Sequence, residues 1–191
     1  MNKKKELEKI VEEIMVCRIC KMDKIGKAVP GEGDPNADVV FIGEAPGKTE
    51  AKTGRPFVGR SGKFLRSQIV AIGLEEAGIF ITSPVKYLPL RGTPTPSDIA
   101  HGKTHLEKQL AIIRPKIVVL MGSVAVFGVL QRKIPVLKDH GKTIKENGMT
   151  YFLTVHPAAG LRFPALRKIF IEDFRKLKSL LNKSTITGFL K

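Results

Sequence analysis

Polar side chains follow three short apolar segments of the chain. Glu44 lies in Gly43-Glu44-Ala45-Pro46-Gly47, Ser83 in Thr82-Ser83-Pro84, and His156 directly before Pro157. A carboxylate, a hydroxyl and an imidazole are groups that hold water, donate hydrogen bonds and stabilise charge in enzyme sites. Each also has an ordinary structural use, as a turn cap for Glu44 or a buried, hydrogen-bonded histidine for His156. Taken singly, these residues favour the structural use.

The apolar segments before these residues predict the elements that would position them. Buried strands are predicted at 37–43, 79–82, 117–121 and 151–155, and helices near 3–15, 61–72, 96–113, 123–131 and 164–182. This alternation predicts an α/β fold with a mostly parallel sheet that is covered on both faces. Ligands of such sheets bind beyond the carboxyl ends of the strands. Glu44, Ser83 and His156 should therefore converge on one pocket.

The composition favours a single basic domain. The chain has 191 residues with 33 Lys and Arg against 18 Asp and Glu, a formal charge of +15. This excess indicates a polyanionic partner, first of all nucleic acid, although a lysine-rich soluble surface would give the same count. The sequence has no apolar run long enough to suggest a secretory signal or a membrane span, so we expect a cytoplasmic protein. We also expect a monomer. Residues 1–182 should form one domain, and residues 183–191 a tail.

Three segments together resemble the signature motifs of family 4 uracil-DNA glycosylases. They are the Gly43–Gly47 segment, Thr53-Gly54-Arg55-Pro56-Phe57-Val58-Gly59-Arg60-Ser61-Gly62, and His156-Pro157-Ala158-Ala159. The similarity runs from about Val16 to about Leu180, with the motifs in the family's order and spacing. It implies a three-layer α/β/α fold around a central, mostly parallel four-stranded sheet. It also implies a monofunctional DNA-repair glycosylase, which flips a damaged base from DNA and hydrolyses its N-glycosidic bond.

The resemblance assigns roles in that reaction. His156 would donate a hydrogen bond to the departing base, and Glu44 would position water and offset positive charge on the sugar. Glu50 would lie behind these residues and hold them in position, without contacting the base itself. The base itself would be held by four residues, of which Phe57 stacks on the ring: Gly43, Ala45, Phe57 and Ser83.

Basic and apolar residues beside the motifs are candidates for DNA contacts. Glycines 54, 59 and 62 suggest a loop whose backbone approaches a phosphate, with positive charge from Arg55, Arg60 and Lys63, although a turn-rich surface loop would look the same. After His156, Leu161 matches the family's wedge into the duplex and Arg162 a phosphate contact. Phe163 could replace Leu161 as the wedge.

The chain departs from the family pattern at the metal centre. The resemblance implies a [4Fe-4S] cluster on four cysteines, but only Cys17 and Cys20 are present, and Tyr87 and Gly102 occupy the other two positions. His101 and His105 offer replacement ligands, so either zinc or a non-standard iron-sulfur cluster is possible. The alternative is a solvated helix face, because both histidines are predicted to point away from the apolar stripe of helix 96–113. The chemistry itself needs no metal.

A second departure concerns the choice of base. Ser83 stands where the family has an asparagine that reads the edge of uracil, and a shorter hydroxyl reads that edge differently. Uracil is the first expectation. A glycosylase for another deaminated base is one alternative, and a non-catalytic protein that binds DNA and the sliding clamp is another.

The last residues resemble the peptide that repair enzymes insert into the DNA sliding clamp. Ile186, Phe189 and Leu190 keep the spacing of that motif, while Lys183 replaces its leading glutamine. The alternative is a tail that docks on its own domain. We expect the sliding clamp to be a partner, alongside DNA.

Overall fold

The computed structural model describes residues 2–146 and 148–183, and the elements below belong to these residues. The first half of the chain contains helices and short strands in the order α1 (Lys3–Val16), α2 (Arg18–Lys21), β1 (Lys24–Ile25), β2 (Glu32–Gly33), β3 (Val39–Ile42), α3 (Lys48–Thr53), α4 (Arg60–Ala71), β4 (Ile79–Thr82) and β5 (Leu88–Pro89). The second half continues with α5 (Pro96–Ile113), β6 (Ile117–Met121), α6 (Ser123–Leu130), α7 (Val136–Asp139), β7 (Thr143–Glu146), β8 (Met149–Thr154), α8 (Pro157–Arg162) and α9 (Pro164–Lys183).

A six-stranded sheet with the strand order β2-β4-β3-β6-β8-β7 forms the middle of the fold. Its four inner strands are parallel, and the edge strands β2 and β7 run antiparallel to their neighbours. Every residue of β3, β4 and β6 is buried, as expected for parallel strands covered on both faces. The predicted α/β fold with a parallel four-stranded centre is thus confirmed.

Helices cover both faces of this sheet because the chain reverses its direction across it. From β3 the chain crosses to β4 on one side, and from β4 it crosses back over β3 to β6 on the other. Right-handed crossovers place the connecting helices α4 and α5 on opposite faces. On the α4 face, the rings of Phe64, Phe170 and Phe174 pack in succession at centroid distances of 5.1 and 4.6 Å, and Phe174 stacks on Phe41 of β3.

The two edge strands were missed by the sequence prediction. Strand β2 has only two residues, and β7 alternates exposed and half-buried residues rather than forming an apolar run. Such strands are held by pairing with β4 and β8, which local composition does not reveal. They widen the predicted sheet without changing its parallel centre.

Helix α5 begins at the capping box that its sequence suggests. The Asp98 backbone N–H donates to Thr95 Oγ1 at 3.1 Å, and the Thr95 N–H donates to Asp98 Oδ2 at 2.8 Å. Asp98 also forms an ion pair with Lys24 at 2.5 Å, which joins the start of α5 to the small sheet of β1 and β5. Among the described helices, none combines the length and apolar character needed to cross a bilayer.

Candidate functional site

A pocket lies where the parallel strands β3, β4 and β8 end. Glu44 follows β3, Ser83 follows β4, and His156 follows β8, and all three side chains line this pocket together with Ala45 and Phe57. The pocket sits at the point where the chain reverses direction across the sheet, which is where open α/β sheets bind ligands. The structure therefore brings together the five side chains predicted to hold or cleave a base.

The ring of Phe57 is fixed by two glycines. A Cβ atom at Gly43 would lie 2.3 Å from Cζ of the Phe57 ring, so only glycine lets the ring approach the end of β3. A Cβ atom at Gly62 would lie 2.0 Å from the Phe57 carbonyl carbon and oxygen. Phe57 itself has a left-handed backbone conformation with φ 51°, a costly state for a residue with a bulky side chain. The surrounding packing holds the ring in one place.

Glu50 and Arg66 stabilise the turn that contains Phe57. The buried carboxylate of Glu50 accepts hydrogen bonds from the backbone N–H groups of Val58 and Gly59 at 2.9 and 2.8 Å. From the other side, Arg66 donates to the carbonyl oxygens of Pro56 and Phe57 at 3.1 and 3.0 Å. The turn is therefore ordered by the protein's own groups. The sequence placed Glu50 behind the site, but it carried no signal for Arg66.

His156 presents one particular ring nitrogen to the pocket. Its Nδ1 accepts a hydrogen bond from the backbone N–H of Ala158 at 3.2 Å, as the cap of helix α8. In the neutral ring the proton must therefore lie on Nε2, which becomes a donor. Burial lowers the pKa of His156 to about 4, so the ring is neutral near pH 7. Its centroid lies 6.1 Å from that of Phe57.

Glu44 and Ser83 occupy the other side of the pocket. Glu44 is half-buried, and burial raises the pKa of its carboxyl group above the ordinary value. The buried Ser83 hydroxyl donates a hydrogen bond to the Val85 carbonyl oxygen at 2.8 Å. Because its proton is engaged, Ser83 presents an acceptor oxygen to the pocket.

Comparison with known proteins decides the family. The sequence pattern of the uracil DNA glycosylase superfamily matches residues 30–178. The chain belongs to this superfamily. It is 43% identical to a type-4 uracil-DNA glycosylase of Sulfurisphaera tokodaii over 96% of this chain and 90% of that protein. Type-4 uracil-DNA glycosylases of Saccharolobus solfataricus and Thermotoga maritima are 40% and 36% identical, over 95% and 96% of this chain and 89% and 99% of theirs.

Of the basic residues predicted near DNA in this glycosylase fold, Arg55 is already paired. Its side chain forms two hydrogen bonds to Glu32, at 2.8 and 3.1 Å. Arg60 and Lys63 lie exposed in the first turn of α4, and no ion pair engages them among the described residues. Gly62 lies inside α4 rather than in a loop, and contact with the Phe57 backbone explains it. Gly54 and Gly59 lie on either side of the turn of Phe57, so the expected loop covers residues 54–59 and helix α4 begins at Arg60.

The residues after His156 form the exposed helix α8 and its end. Leu161 and Phe163 keep 43% and 48% of their surface accessible. The guanidinium of Arg162 lies over the Phe163 ring at 5.3 Å. Both wedge candidates therefore face outward beside the pocket.

The four predicted metal ligands form a second cluster, between α1–α2 and α5. One ligand atom from each of Cys17, Cys20, His101 and His105 lies within 4.8 Å of all the others, and such a group could hold a metal ion. Burial is the main reason that the pKa of the Cys20 thiol rises to about 12 and that of His105 falls below its ordinary value. The side chains lie outside the base pocket.

The predicted solvated face for these histidines is wrong for His105. That side chain is buried with 7% of its surface exposed, because α1 packs along α5 and covers the face that the helical pattern alone left open. The structure also explains the two missing cysteines. A Cβ at Gly102 would lie 2.0 Å from the Pro84 carbonyl oxygen, and Tyr87 fills its position by packing in the cluster of Ile10, Ile14 and Cys20.

Lys86 is a buried residue that sequence reasoning missed. Its ammonium group donates to Thr82 Oγ1 and Gln109 Oε1, both at 2.8 Å, and to the Pro30 carbonyl oxygen at 3.1 Å. Burial lowers its pKa to about 7. The three bonds tie the segment after β4 to α5 and to the loop before β2, which fixes the backbone near Ser83. A lysine in a loop gives no sequence signal for such a role.

Proposed function

We propose that this protein is a monofunctional DNA glycosylase that removes uracil from DNA by hydrolysing its N-glycosidic bond. The observation that carries the proposal is the convergence of Glu44, Phe57 and His156 from three distant segments on one pocket. The type-4 uracil-DNA glycosylases that resemble most of this chain support uracil as the base.

A flipped nucleotide would be held against Phe57. A base stacked inside a duplex cannot place its ring face and its glycosidic bond in a protein pocket, so the nucleotide has to leave the stack and enter the pocket. The Phe57 ring offers a flat apolar face, and its fixed position means that little side-chain freedom is lost on binding. Stacking of this kind stabilises a bound base by about 1–3 kcal/mol.

Bond cleavage would use the opposite charges that develop on the two fragments. The departing base gains negative charge on a carbonyl oxygen, to which the Nε2–H of the neutral His156 donates a hydrogen bond. The sugar gains positive charge, which the Glu44 carboxylate offsets while it orients the attacking water. No covalent enzyme intermediate is required, so the products are free base and an abasic site.

Ser83 favours a second candidate, a glycosylase that acts on a different deaminated base. With its proton donated to Val85, the Ser83 oxygen accepts a hydrogen bond but donates none. An acceptor suits the N–H group of uracil, and it equally suits the N–H groups of hypoxanthine and xanthine. Loss of one polar contact to a base can change discrimination by several powers of ten.

The test uses oligonucleotides that contain uracil, hypoxanthine or xanthine, single-stranded and in duplexes. We expect strand breaks at uracil only after alkaline treatment, because abasic sites break in alkali. Breaks without alkali would contradict a monofunctional enzyme, and a preference for hypoxanthine or xanthine would establish the second candidate. DNA binding without any product would instead support a non-catalytic DNA-binding and clamp-binding protein.

Paired variants connect the activity to the pocket. Glu44→Gln should lower the single-turnover rate by about 10²–10⁴-fold, in the range of lost acid–base assistance. Glu75→Gln changes an exposed carboxylate outside the pocket and should leave the rate unchanged. Equal rates for the two variants would remove Glu44 from the mechanism.

The DNA duplex would approach the face that carries the start of α4 and the end of α8. Arg60 and Lys63 would contact phosphates, with Arg55 joining them if it leaves Glu32, while Arg162 would contact a phosphate beside the wedge. The exposed Leu161, or Phe163 in its place, would fill the gap left by the flipped base. Replacing Lys63 with Ala should weaken DNA binding and reduce its dependence on salt concentration.

The sliding clamp is the proposed protein partner, in a monomeric enzyme that works in the cytoplasm. This proposal rests on sequence alone, because Ile186, Phe189 and Leu190 lie outside the described residues. Replacing Phe189 and Leu190 with Ala should abolish binding to an immobilised clamp while leaving uracil removal intact. Unchanged clamp affinity would contradict the proposal.

The cysteine–histidine cluster supports a bound metal that takes no part in the chemistry. The alternatives from the sequence are zinc and a non-standard iron-sulfur cluster at Cys17 and Cys20. All ligand candidates lie outside the lining of the base pocket, so a metal there would act on structure only.

A further inference from the structure

His105 is buried with both ring nitrogens unsatisfied. Among residues 2–146 and 148–183, neither Nδ1 nor Nε2 has a hydrogen-bond partner, and only 7% of the residue's surface is exposed to solvent. A buried polar group without a partner destabilises the fold. The other three members of the cluster lie directly beside this ring, and His101 meets it edge to face with centroids 5.7 Å apart. An ion bound among them would remove the cost.

The spacing of the four ligand atoms fits one ion. All of them lie within 4.8 Å of one another, and Cys17 Sγ lies 3.2 Å from His101 Nε2. Tetrahedral zinc with bonds of about 2.3 Å to sulfur and 2.0–2.1 Å to nitrogen holds its ligands roughly 3.4–3.8 Å apart. An iron-sulfur cluster inserts several iron and sulfide atoms between its ligands, so its ligands must lie further apart than these atoms do.

The surroundings of the ligands are those of a zinc site. The Cys20 backbone N–H donates to Cys17 Sγ at 3.4 Å, an interaction that stabilises a thiolate. The Glu13 carboxylate lies 3.9 Å from His105 Nδ1, and a carboxylate beside one ring nitrogen orients a histidine whose other ring nitrogen binds a metal. Two thiolates and two imidazoles in a compact group form a donor set typical of structural zinc.

We propose that Cys17, Cys20, His101 and His105 bind a single zinc ion that fastens α2 to α5. The ion would join ligands that are far apart in sequence, since Cys17 and His101 are separated by 84 positions. It would lie close to the segment of Lys86 and Tyr87 that leads back to Ser83. This site is separate from the glycosylase activity proposed above and does not depend on it.

The first test measures metal content. Full-length protein without a histidine tag, produced in medium that contains both zinc and iron, should carry one zinc ion per chain by native mass spectrometry and elemental analysis. After exchange with cobalt, it should show the visible absorption of tetrahedral cobalt with thiolate ligands. Stoichiometric iron with sulfide, or no metal at all after zinc titration of the refolded chain, would overturn the proposal.

Paired histidine variants assign the ligands. His101→Ala and His105→Ala should each lower zinc affinity by more than 100-fold, whereas His156→Ala should keep one zinc per chain. If the His105 variant does not fold, alkylation of the wild-type protein tests the same site. Cys17 and Cys20 should react slowly with an alkylating reagent until a chelator removes the zinc ion. Rapid alkylation of the zinc-treated protein would overturn the site.

The structural role predicts a change in thermal stability. Zinc present at about 1,000 times its dissociation constant stabilises a fold by about 4 kcal/mol, which is roughly 8–16 °C for a chain of this size. Chelation should therefore lower the melting temperature by this amount in the wild type and in His156→Ala. An unchanged melting temperature after complete zinc removal would contradict the proposal that zinc fastens α2 to α5. Loss of glycosylase activity in His156→Ala has no bearing on the zinc proposal, because that variant should still bind zinc.

Discussion

The base pocket and the cysteine–histidine cluster are built in opposite ways. In the pocket the protein satisfies its own groups, since Glu50 and Arg66 bind the backbone around Phe57, and Ala158 binds Nδ1 of His156. In the cluster, the buried His105 has no hydrogen-bond partner in the part of the chain that the structure describes. The pocket is ordered before any ligand arrives, whereas the cluster is complete only with a cation.

This difference matches a catalytic role for the base pocket and a structural role for the cysteine–histidine cluster. Groups that stabilise developing charge act best when they are fixed in advance, because no energy is then spent on reorganisation. A structural metal contributes its binding free energy to folding, so its ligands have no need of other partners. Perturbations of the pocket should therefore change the rate, and perturbations of the cluster should change the stability.

Among the variants that compare the two regions, His156→Ala should show the largest effect, and this effect is on the rate. Removing a donor to a developing negative charge lowers kcat by about 10²–10³-fold. The melting temperature and zinc content should stay close to those of the wild type. His105→Ala should show the reverse pattern, with a lower melting temperature and a nearly normal rate at a temperature where it is folded. Single-turnover uracil release measures the rate, and calorimetry measures the melting temperature, for both variants. If both variants lost rate and melting temperature to a similar extent, the base pocket and the cysteine–histidine cluster would not have separate roles.

Glu50→Ala should affect both rate and stability within the pocket. It leaves the N–H groups of Val58 and Gly59 without their acceptor, at about 1–3 kcal/mol for each group that stays buried. The Phe57 turn should loosen, so kcat/KM should fall while zinc content is unchanged. Glu50→Gln keeps an acceptor oxygen and should lose less in urea unfolding. Equal losses for the two variants would show that the charge, and not the hydrogen bonds, holds the turn.

The pH dependence of the rate should come from Glu44. Because burial raises its pKa, the carboxylate is lost at a higher pH than the ordinary value of 4.5, and kcat/KM should fall as pH drops through that raised pKa. His156, with a pKa of about 4, stays neutral above that pH and should give no step near the ordinary value of 6.5. When kcat/KM is measured from pH 4 to 9, it should fall at low pH in the same way with and without a chelator that removes zinc. A step near pH 6.5 would mean that His156 titrates normally.

The smallest effect is expected for Thr95→Ala at the start of α5. Loss of this cap costs about 1 kcal/mol and loosens the first turn of the helix that carries both cluster histidines. Zinc affinity should fall slightly and uracil release should not change. Isothermal titration with zinc and the standard glycosylase assay measure the two quantities, with Thr95→Ser as a variant that retains a capping hydroxyl. A rate that fell with the cap would link α5 to the pocket.

Much of the pocket could be predicted from the sequence because local pattern determined it. Short apolar runs predicted the four parallel strands, and a polar residue follows three of these runs, so Glu44, Ser83 and His156 had to meet at one edge of the sheet. The cap at Thr95 was predictable for the same reason, since capping depends on residues three apart.

Several features of the site could not be predicted from the sequence because they depend on contacts between segments that are far apart in the chain. The burial of His105 required α1 to pack on α5, the need for glycine at position 62 came from the Phe57 backbone, and Arg55 found its partner in Glu32. Helical periodicity shows which residues share a face, but it does not show which faces another element will cover. The sequence by itself therefore determined the parallel strands and the polar residues at their ends. Only the assembled fold determined that Phe57 is fixed in place and that the buried His105 lies beside two cysteines.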